Sequence, residues 1–110
     1  MIMQKTKPIR STKHLQFIRK LPCCVCGMMP CDAAHIRIGM FGGTGMKPGD
    51  DCTVPLCAPC HARQHQHGEA TFYGASIGSA KWLAKRLYQY SGDAFKALQA
   101  IQIYREDANL

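Results

Sequence analysis

The sequence predicts a small α+β domain stabilised by zinc, with additional helices around a short strand pair. Three observations predict this fold class. The chain has 110 residues, which suits one modest core. Two pairs of cysteines have C-x2-C spacing, and short strand and helix patterns follow one another around those pairs. A hydrophobic content of 46% excludes a wholly disordered chain. No apolar run approaches the roughly 20 residues of a membrane span, so no membrane partner is expected.

The odd number of cysteines and the absence of a visible secretory signal predict a reducing compartment. The chain has seven cysteines, and residues 1–10 are polar and basic, so no secretory signal is visible. An odd number of cysteines cannot pair completely, and the cytoplasm keeps thiols reduced. We therefore expect a cytoplasmic protein whose cysteines bind metal.

The charge balance indicates a polyanionic partner. Lys and Arg number 14 against 7 acidic residues, which gives a formal net charge of +7. Such an excess on a small domain is typical of proteins that bind nucleic acid. Nucleic acid is therefore the leading candidate partner.

Residues 1–11 are predicted to form a solvated basic arm, and residues 12–110 a single domain. The predicted elements of that domain are a helix from Ser11 or Thr12 to Leu21, a strand over 32–38, a glycine-rich loop over 39–51, a strand from Thr53, a helix over 59–67, and C-terminal helices within about 79–105. Gly68 is a plausible end for the helix over 59–67, and Asp93 can cap the last helix.

The cysteine pairs are the strongest feature of the sequence. Cys23 and Cys26 form one pair, and Cys57 and Cys60 form the other. Each pair lets two thiolates in one turn bind the same tetrahedral ion, so together they predict a closed, structural zinc site. The alternative is that these cysteines are merely buried. The remaining cysteines are outside the set and are predicted to be small buried hydrophobes: Cys24, Cys31 and Cys52.

The histidines suggest a second metal site behind the zinc. His61 and His65 are four residues apart on a predicted helix, so both imidazoles can point toward one divalent ion. Histidines at this spacing are more often surface residues when considered alone. His35 lies on the preceding strand with Asp32 three residues before it, which adds an imidazole and a carboxylate to the same region.

Basic residues surround the same segment and suggest a phosphate ligand. Arg37, Lys47 and Arg63 could position a nucleic-acid backbone. A metal held by few protein groups, an imidazole that can accept a proton from water, and cations near a phosphate are the components of phosphodiester hydrolysis.

An ordered series of motifs resembles the HNH endonucleases, also called ββα-metal or His-Me finger nucleases. The series is Cys23-Cys24-Val25-Cys26-Gly27, then Asp32-Ala33-Ala34-His35-Ile36-Arg37, then Val54-Pro55-Leu56-Cys57, and Cys60-His61 through His65. Gly45-Met46-Lys47-Pro48 and His65-Gln66-His67-Gly68-Glu69 resemble, more narrowly, small phage and prophage HNH proteins linked to recombination.

The resemblance implies a fold, a metal and a role for each histidine. It implies a ββα-metal core over about 31–68 that holds one catalytic divalent ion, Mg²⁺, Mn²⁺ or Zn²⁺, in addition to the structural zinc. It further implies that His35 is the general base and that His61 and His65 bind the catalytic ion. DNA becomes the expected partner, with a recombination protein as a second one.

The sequence departs from the family pattern at two positions. Many relatives have a histidine or aspartate metal ligand directly before the base, where this chain has Ala34, and Asp32 is the obvious substitute. The asparagine that orients the base is also missing, because Cys52 occupies the corresponding position. Asp51 or a backbone carbonyl could orient His35 instead.

Other residues are predicted to play no part in the site. Glu69 continues the four-residue spacing of His61 and His65 and could approach the metal, but Gly68 is expected to end the helix first and leave Glu69 a solvated carboxylate. His14 is expected on the surface. Trp82 and Tyr88 could stack on bases, although aromatic residues at helical spacing more often belong to the core.

The sequence therefore predicts an HNH endonuclease that hydrolyses DNA phosphodiester bonds in a metal-dependent reaction. Phosphate contacts carry no base information, so little sequence specificity is expected. The alternative is a zinc-binding module that binds DNA or a recombination protein without cutting DNA.

Overall fold

The computed structural model describes residues 8–38 and 48–110 and is a small α+β fold, as predicted. The elements in chain order are α1 (Thr12–Arg19), β1 (Cys31–His35), β2 (Thr53–Cys57), α2 (Ala58–His67), α3 (Glu69–Tyr73), a 3-10 turn (Gly74–Ser76), α4 (Ile77–Gln89) and α5 (Ala94–Asp107). The predicted elements are present, with a shorter first strand and a longer α4. The short helix α3 was not predicted.

The strands form an antiparallel pair that leads directly into α2. Cys31 lies opposite Cys57, and His35 lies opposite Thr53. Because this sheet has two strands, both are edge strands, and Pro55 therefore fits within β2. The helix α2 begins immediately after β2 and ends at Gly68, whose φ of 82° is in the left-handed region that favours glycine. The chain therefore contains a ββα unit between residues 31 and 67.

The core lies between the strands, α1 and the two C-terminal helices. Every residue of β2 is buried, and α4 packs against that strand and against α5. Fully buried aliphatic side chains from α1, the end of β1, β2 and α4 meet there: Ile18, Ile36, Leu56, Leu83 and Leu87. Among the helices of the described ranges, none has the length and apolar character that crossing a membrane requires.

Residues 9–11, at the end of the predicted basic arm, are hydrogen-bonded to residues 48–50 although Ile9 and Arg10 are exposed. The Asp50 amide donates to the Ile9 carbonyl at 2.7 Å, and the Arg10 guanidinium donates to the Pro48 carbonyl at 2.8 Å. Ser11 then caps α1, because its hydroxyl accepts from a backbone amide in the first turn. The segment before α1 therefore anchors the far end of the loop that connects the two strands. Residues 1–7 lie outside the described part.

His14 is buried, so its predicted surface position is wrong. It is 1% exposed, and its Nδ1 lies 2.7 Å from the Ser91 hydroxyl. The Tyr88 ring packs edge-on against it with ring centroids 5.1 Å apart. Burial lowers the pKa of His14 and so favours the neutral imidazole. His14 belongs to no sequence motif, and its partner Ser91 is distant in the sequence, so the sequence alone does not reveal that His14 is buried.

Candidate metal centre and catalytic cavity

Four cysteines lie close enough together to hold one metal ion. The Sγ atoms of Cys23, Cys26, Cys57 and Cys60 all lie within 4.8 Å of one another, and those of Cys26 and Cys57 are 3.4 Å apart. A zinc–sulfur distance of about 2.3 Å places tetrahedral thiolates about 3.8 Å apart, which agrees with this spacing. The four-thiolate site expected from the sequence is therefore present, and its donor set suits zinc.

Backbone amides favour the thiolate form of one cysteine in this cluster. Burial raises the pKa of Cys23, but hydrogen bonds from the amides of Cys26, Cys57 and Val25 outweigh that effect and lower the pKa to about 7. Burial and the neighbouring Cys57 thiol raise the pKa of Cys60. One thiolate therefore forms readily near neutral pH, and a divalent cation favours deprotonation of the others, with release of protons on binding.

The remaining cysteines are buried and outside this cluster, as predicted. Cys24 is fully buried, and burial raises its pKa well above the ordinary value. Burial likewise raises the pKa of Cys31 to about 12 and that of Cys52 to about 11. These three side chains are therefore neutral thiols that fill the interior.

A second candidate site is a cavity of about 660 Å³ beside the ββα unit. His35, at the end of β1, and His61 and His65, on one face of α2, all line it. Gln64 is buried beneath that face, and its side-chain amide donates to the His35 carbonyl at 3.5 Å. The strand end is thus held against the helix, and the structure brings the three predicted histidines to one cavity.

His61 and His65 are arranged as two ligands of one ion would be. Their Nε2 atoms are 3.2 Å apart. Metal–nitrogen distances of about 2.0–2.1 Å place two tetrahedral ligands about 3.4 Å apart, so the observed separation fits a shared ion. Within residues 8–38 and 48–110, no third histidine, cysteine or acidic side chain brings a donor atom within 4.8 Å of both.

Asp32 does not lie where a direct metal ligand would. Its Oδ2 is 3.0 Å from Nδ1 of His61, on the opposite side of the ring from Nε2. A carboxylate at Nδ1 accepts a hydrogen bond from that nitrogen and leaves Nε2 unprotonated. This contact suits a residue that orients His61 better than one that binds the ion directly.

His35 is oriented by Asp50, which the sequence analysis did not identify. Nε2 of His35 lies 2.9 Å from Oδ1 of Asp50, and the Ser11 amide donates to Oδ2 at 2.8 Å. Burial raises the pKa of Asp50, but these two hydrogen bonds together with the charges of His35 and Arg10 outweigh burial and lower the pKa. An ionised carboxylate at Nε2 favours the tautomer with a proton there, so Nδ1 can accept a proton. Asp50 thus has the role that was proposed for the neighbouring Asp51 or a backbone carbonyl.

This arrangement predicts a stability loss for Asp50→Asn. Because the folded-state pKa of Asp50 is below the ordinary value for an aspartate, the stabilisation is present above the ordinary pKa and is lost as the pH falls through the folded-state pKa. We expect the variant to lower the free energy of unfolding by about 1–3 kcal/mol in urea titrations at pH 8, and by less once the pH falls below the ordinary pKa of an aspartate. The matched variant Asp51→Asn should change it by less than about 0.5 kcal/mol. Equal effects of the two variants would contradict the role given to Asp50.

The basic residues expected at the phosphate lie in different places. Arg37 lines the histidine cavity. Arg63 instead donates to the Cys60 sulfur at 3.2 Å and lines a separate cavity, so the expectation that it contacts phosphate at this site is not supported. Residue 63 is two positions after His61, and an α-helix turns by about 200° over that distance, which places it on the other side of α2. Lys47 lies outside the described residues.

Glu69 has a role that the sequence analysis missed. Its carboxylate accepts from the amides of Arg37 and Ile38, each at 2.9 Å, and the side chain lines the cavity. Gly68 turns the chain so that Glu69 begins α3 and faces the end of β1. Glu69 therefore fixes the path of the chain at the cavity rim. The only sequence signal was its four-residue spacing after His65.

The fold and sites define a small α+β protein with a four-cysteine cluster that can hold a metal such as zinc. The chain belongs to a family described as protein of unknown function (DUF968), whose model matches residues 1–93. That match includes the ββα unit and all the histidines and cysteines considered above. It ends one residue before α5. No curated protein and no solved structure gives a significant match.

Proposed function

We propose that this protein is an HNH-type endonuclease that hydrolyses DNA phosphodiester bonds with the aid of a divalent metal ion. The observation that carries the proposal is the convergence of His35, His61 and His65 on one cavity, with two Nε2 atoms 3.2 Å apart. The ββα unit that presents them has the strand, strand and helix order expected from the HNH resemblance. The separate four-cysteine cluster supports a structural zinc beside this site.

Each residue of the cavity has a distinct task in this proposal. His35 accepts the proton of the attacking water at Nδ1, while Asp50 holds Nε2 and stabilises the imidazolium that results. His61 and His65 would hold the divalent ion, which supplies charge stabilisation at the scissile phosphate when bound. Asp32 orients His61, and Arg37 lies where it can contact the DNA backbone.

The charge of the chain supports a DNA backbone as substrate. The formal net charge is +7, and cations that pair with phosphates favour any sequence equally. Cleavage should therefore show little sequence preference and should weaken as salt concentration rises. A role in phage or prophage recombination, with a recombination protein as partner, stays a prediction from the resemblance alone.

The proposal predicts nicking or linearisation of supercoiled plasmid by the zinc-loaded protein when Mg²⁺, Mn²⁺ or additional Zn²⁺ is supplied. His61→Ala should abolish this activity, because one of the two ligands is lost. His67→Ala is the matched control: it removes an exposed histidine from the same helix and should leave the cleavage rate unchanged. EDTA alone is a poor control, since it also removes the structural zinc.

Metal titration provides the second readout. His61→Ala should eliminate binding at the second site, and Asp32→Asn should weaken it by about 10- to 100-fold while cysteine-bound zinc stays at one per chain. A plasmid that remains intact in all three metals would contradict the nuclease proposal. Loss of activity in His67→Ala to the same degree as in His61→Ala would contradict the assignment of the site.

One observation favours a second candidate function. The described residues provide two donor atoms at the second site and no third one within 4.8 Å of both. A site with so few ligands would bind a catalytic ion weakly, and the protein would then be a zinc-stabilised module that binds DNA without cutting it. Salt-dependent DNA binding together with an intact plasmid would favour this candidate.

A further inference from the structure

A cleft between α4 and α5 has a different chemistry from the histidine cavity. We name it the α4–α5 cleft and define it by Trp82, Arg86, Tyr90 and Lys96, which line a cavity of about 180 Å³. The first three are spaced four residues apart, so they follow one face of α4 and its C-terminal cap. Lys96 comes from the first turn of α5. None of the four lines the histidine cavity.

A cation lies over each aromatic ring of the cleft. The Arg86 guanidinium lies 5.6 Å from the centroid of the Trp82 ring, and the Lys96 ammonium lies 5.7 Å from that of Tyr90. Trp82 and Tyr90 are only partly buried, so part of each ring is accessible. No acidic side chain is among the described residues that line this cavity. The cleft therefore combines accessible aromatic surface with positive charge.

This combination differs from the pair of aromatic residues that the sequence suggested. Tyr88 packs against the buried His14 and does not line the cleft, whereas Tyr90 does. Tyr88 is offset from Trp82 by six residues and Tyr90 by eight, and only the latter spacing returns to the same side of a helix. The two rings that share a surface are therefore Trp82 and Tyr90.

We propose that the α4–α5 cleft binds single-stranded DNA. Arg86 and Lys96 lie over the rings of Trp82 and Tyr90, so an unpaired base stacks there when these long side chains swing off the ring faces. The two cations then pair with the adjacent phosphates. Bases within a duplex are already stacked on each other, so duplex DNA could use only the cations. These aromatic and cationic residues suit any single-stranded nucleic acid, and the choice of DNA over RNA rests on the proposed function.

Trp82 provides a direct probe, because it is the only tryptophan of the chain. The zinc-loaded full-length protein is titrated with an oligothymidylate of about 20 nucleotides, and tryptophan fluorescence is recorded. We expect saturable quenching that weakens with rising salt. A blunt duplex of the same length should produce at most one-third of that quenching at equal occupancy.

Variants then separate stacking from charge, with affinity measured by anisotropy of a labelled oligothymidylate. Trp82→Ala should weaken binding roughly tenfold, while Trp82→Phe, which keeps an aromatic face, should stay within about threefold of the parent. Lys96→Ala should weaken binding by about two- to fivefold. Lys85→Ala, which removes an equal charge from another position on α4, should weaken it by less than half as much. Melting temperature and zinc content identify any variant that fails to fold.

Three results would overturn the proposal. They are binding of oligothymidylate without quenching, quenching by the duplex equal to that by the single strand, and equal losses in Lys96→Ala and Lys85→Ala. Tighter binding of oligouridylate than of oligothymidylate would overturn the assignment to DNA. Failure of plasmid cleavage together with quenching by oligothymidylate would contradict the nuclease proposal and leave the cleft proposal supported.

Discussion

The Cys57→Ser variant is expected to lose its zinc and most of its folded structure. Cys57 ends β2 and precedes α2, and its sulfur lies 3.4 Å from that of Cys26, so one thiolate joins both halves of the cluster. Structural zinc binding supplies about 10–16 kcal/mol in small zinc domains, which is comparable to or greater than a whole domain's stability of about 5–15 kcal/mol. Zinc content by elemental analysis and helicity by circular dichroism should both fall to a small fraction of the parent values.

Cys52→Ala is the matched control for that variant. Cys52 is equally a buried cysteine but lies outside the cluster, so its substitution should cost about 1–2 kcal/mol and leave one zinc per chain. A Cys57→Ser protein that binds zinc at full stoichiometry and unfolds at the parental temperature would disprove the structural metal site.

For His35→Ala we expect plasmid cleavage to slow on the order of 10²-fold or more. Without the imidazole, the attacking water must lose its proton with no positioned acceptor. The cavity side of α2 should be unaffected, so metal binding by His61 and His65 should persist. Single-turnover cleavage with saturating protein measures the chemical step without a contribution from DNA affinity.

Two measurements show whether that loss is chemical. DNA affinity and second-site metal affinity of His35→Ala should both stay within about twofold of the parent. Cleavage at the parental rate would exclude His35 as the base and remove the main support for the HNH mechanism. Loss of DNA binding instead of the chemical step would assign His35 to the DNA interface.

Much of the fold was predictable because its signals are local. Ser11 and Asp93 cap helices in the structure as their residue types predict, and Gly68 ends α2 where a left-handed conformation is needed. The cysteine pairs were equally clear, because C-x2-C spacing serves few purposes in a reduced chain. The short helix α3 was missed, since five residues carry too little periodicity to distinguish a helix from a turn.

The sequence predicts which histidines lie at the candidate site, but it does not predict which carboxylates do. His61 and His65 share a helix face, and that face follows from spacing alone. Asp50 and Asp51 are adjacent in an irregular segment, and only tertiary packing against Ser11 decides which of them faces His35. Arg63 illustrates the opposite error, because proximity in sequence to His61 suggested a shared site although the helix turns it toward the cysteines.

The contact between residues 9–11 and residues 48–50 limits how far this protein can be dissected. A fragment spanning 31–68 would keep both strands, α2 and the three histidines, but it would lack Cys23, Cys26 and the Ser11 amide that holds Asp50. Grafting that fragment onto another scaffold would therefore transfer the histidines without the groups that orient the base and complete the zinc site. A fragment that keeps these contacts and the four cysteines therefore has to begin at or before Ile9.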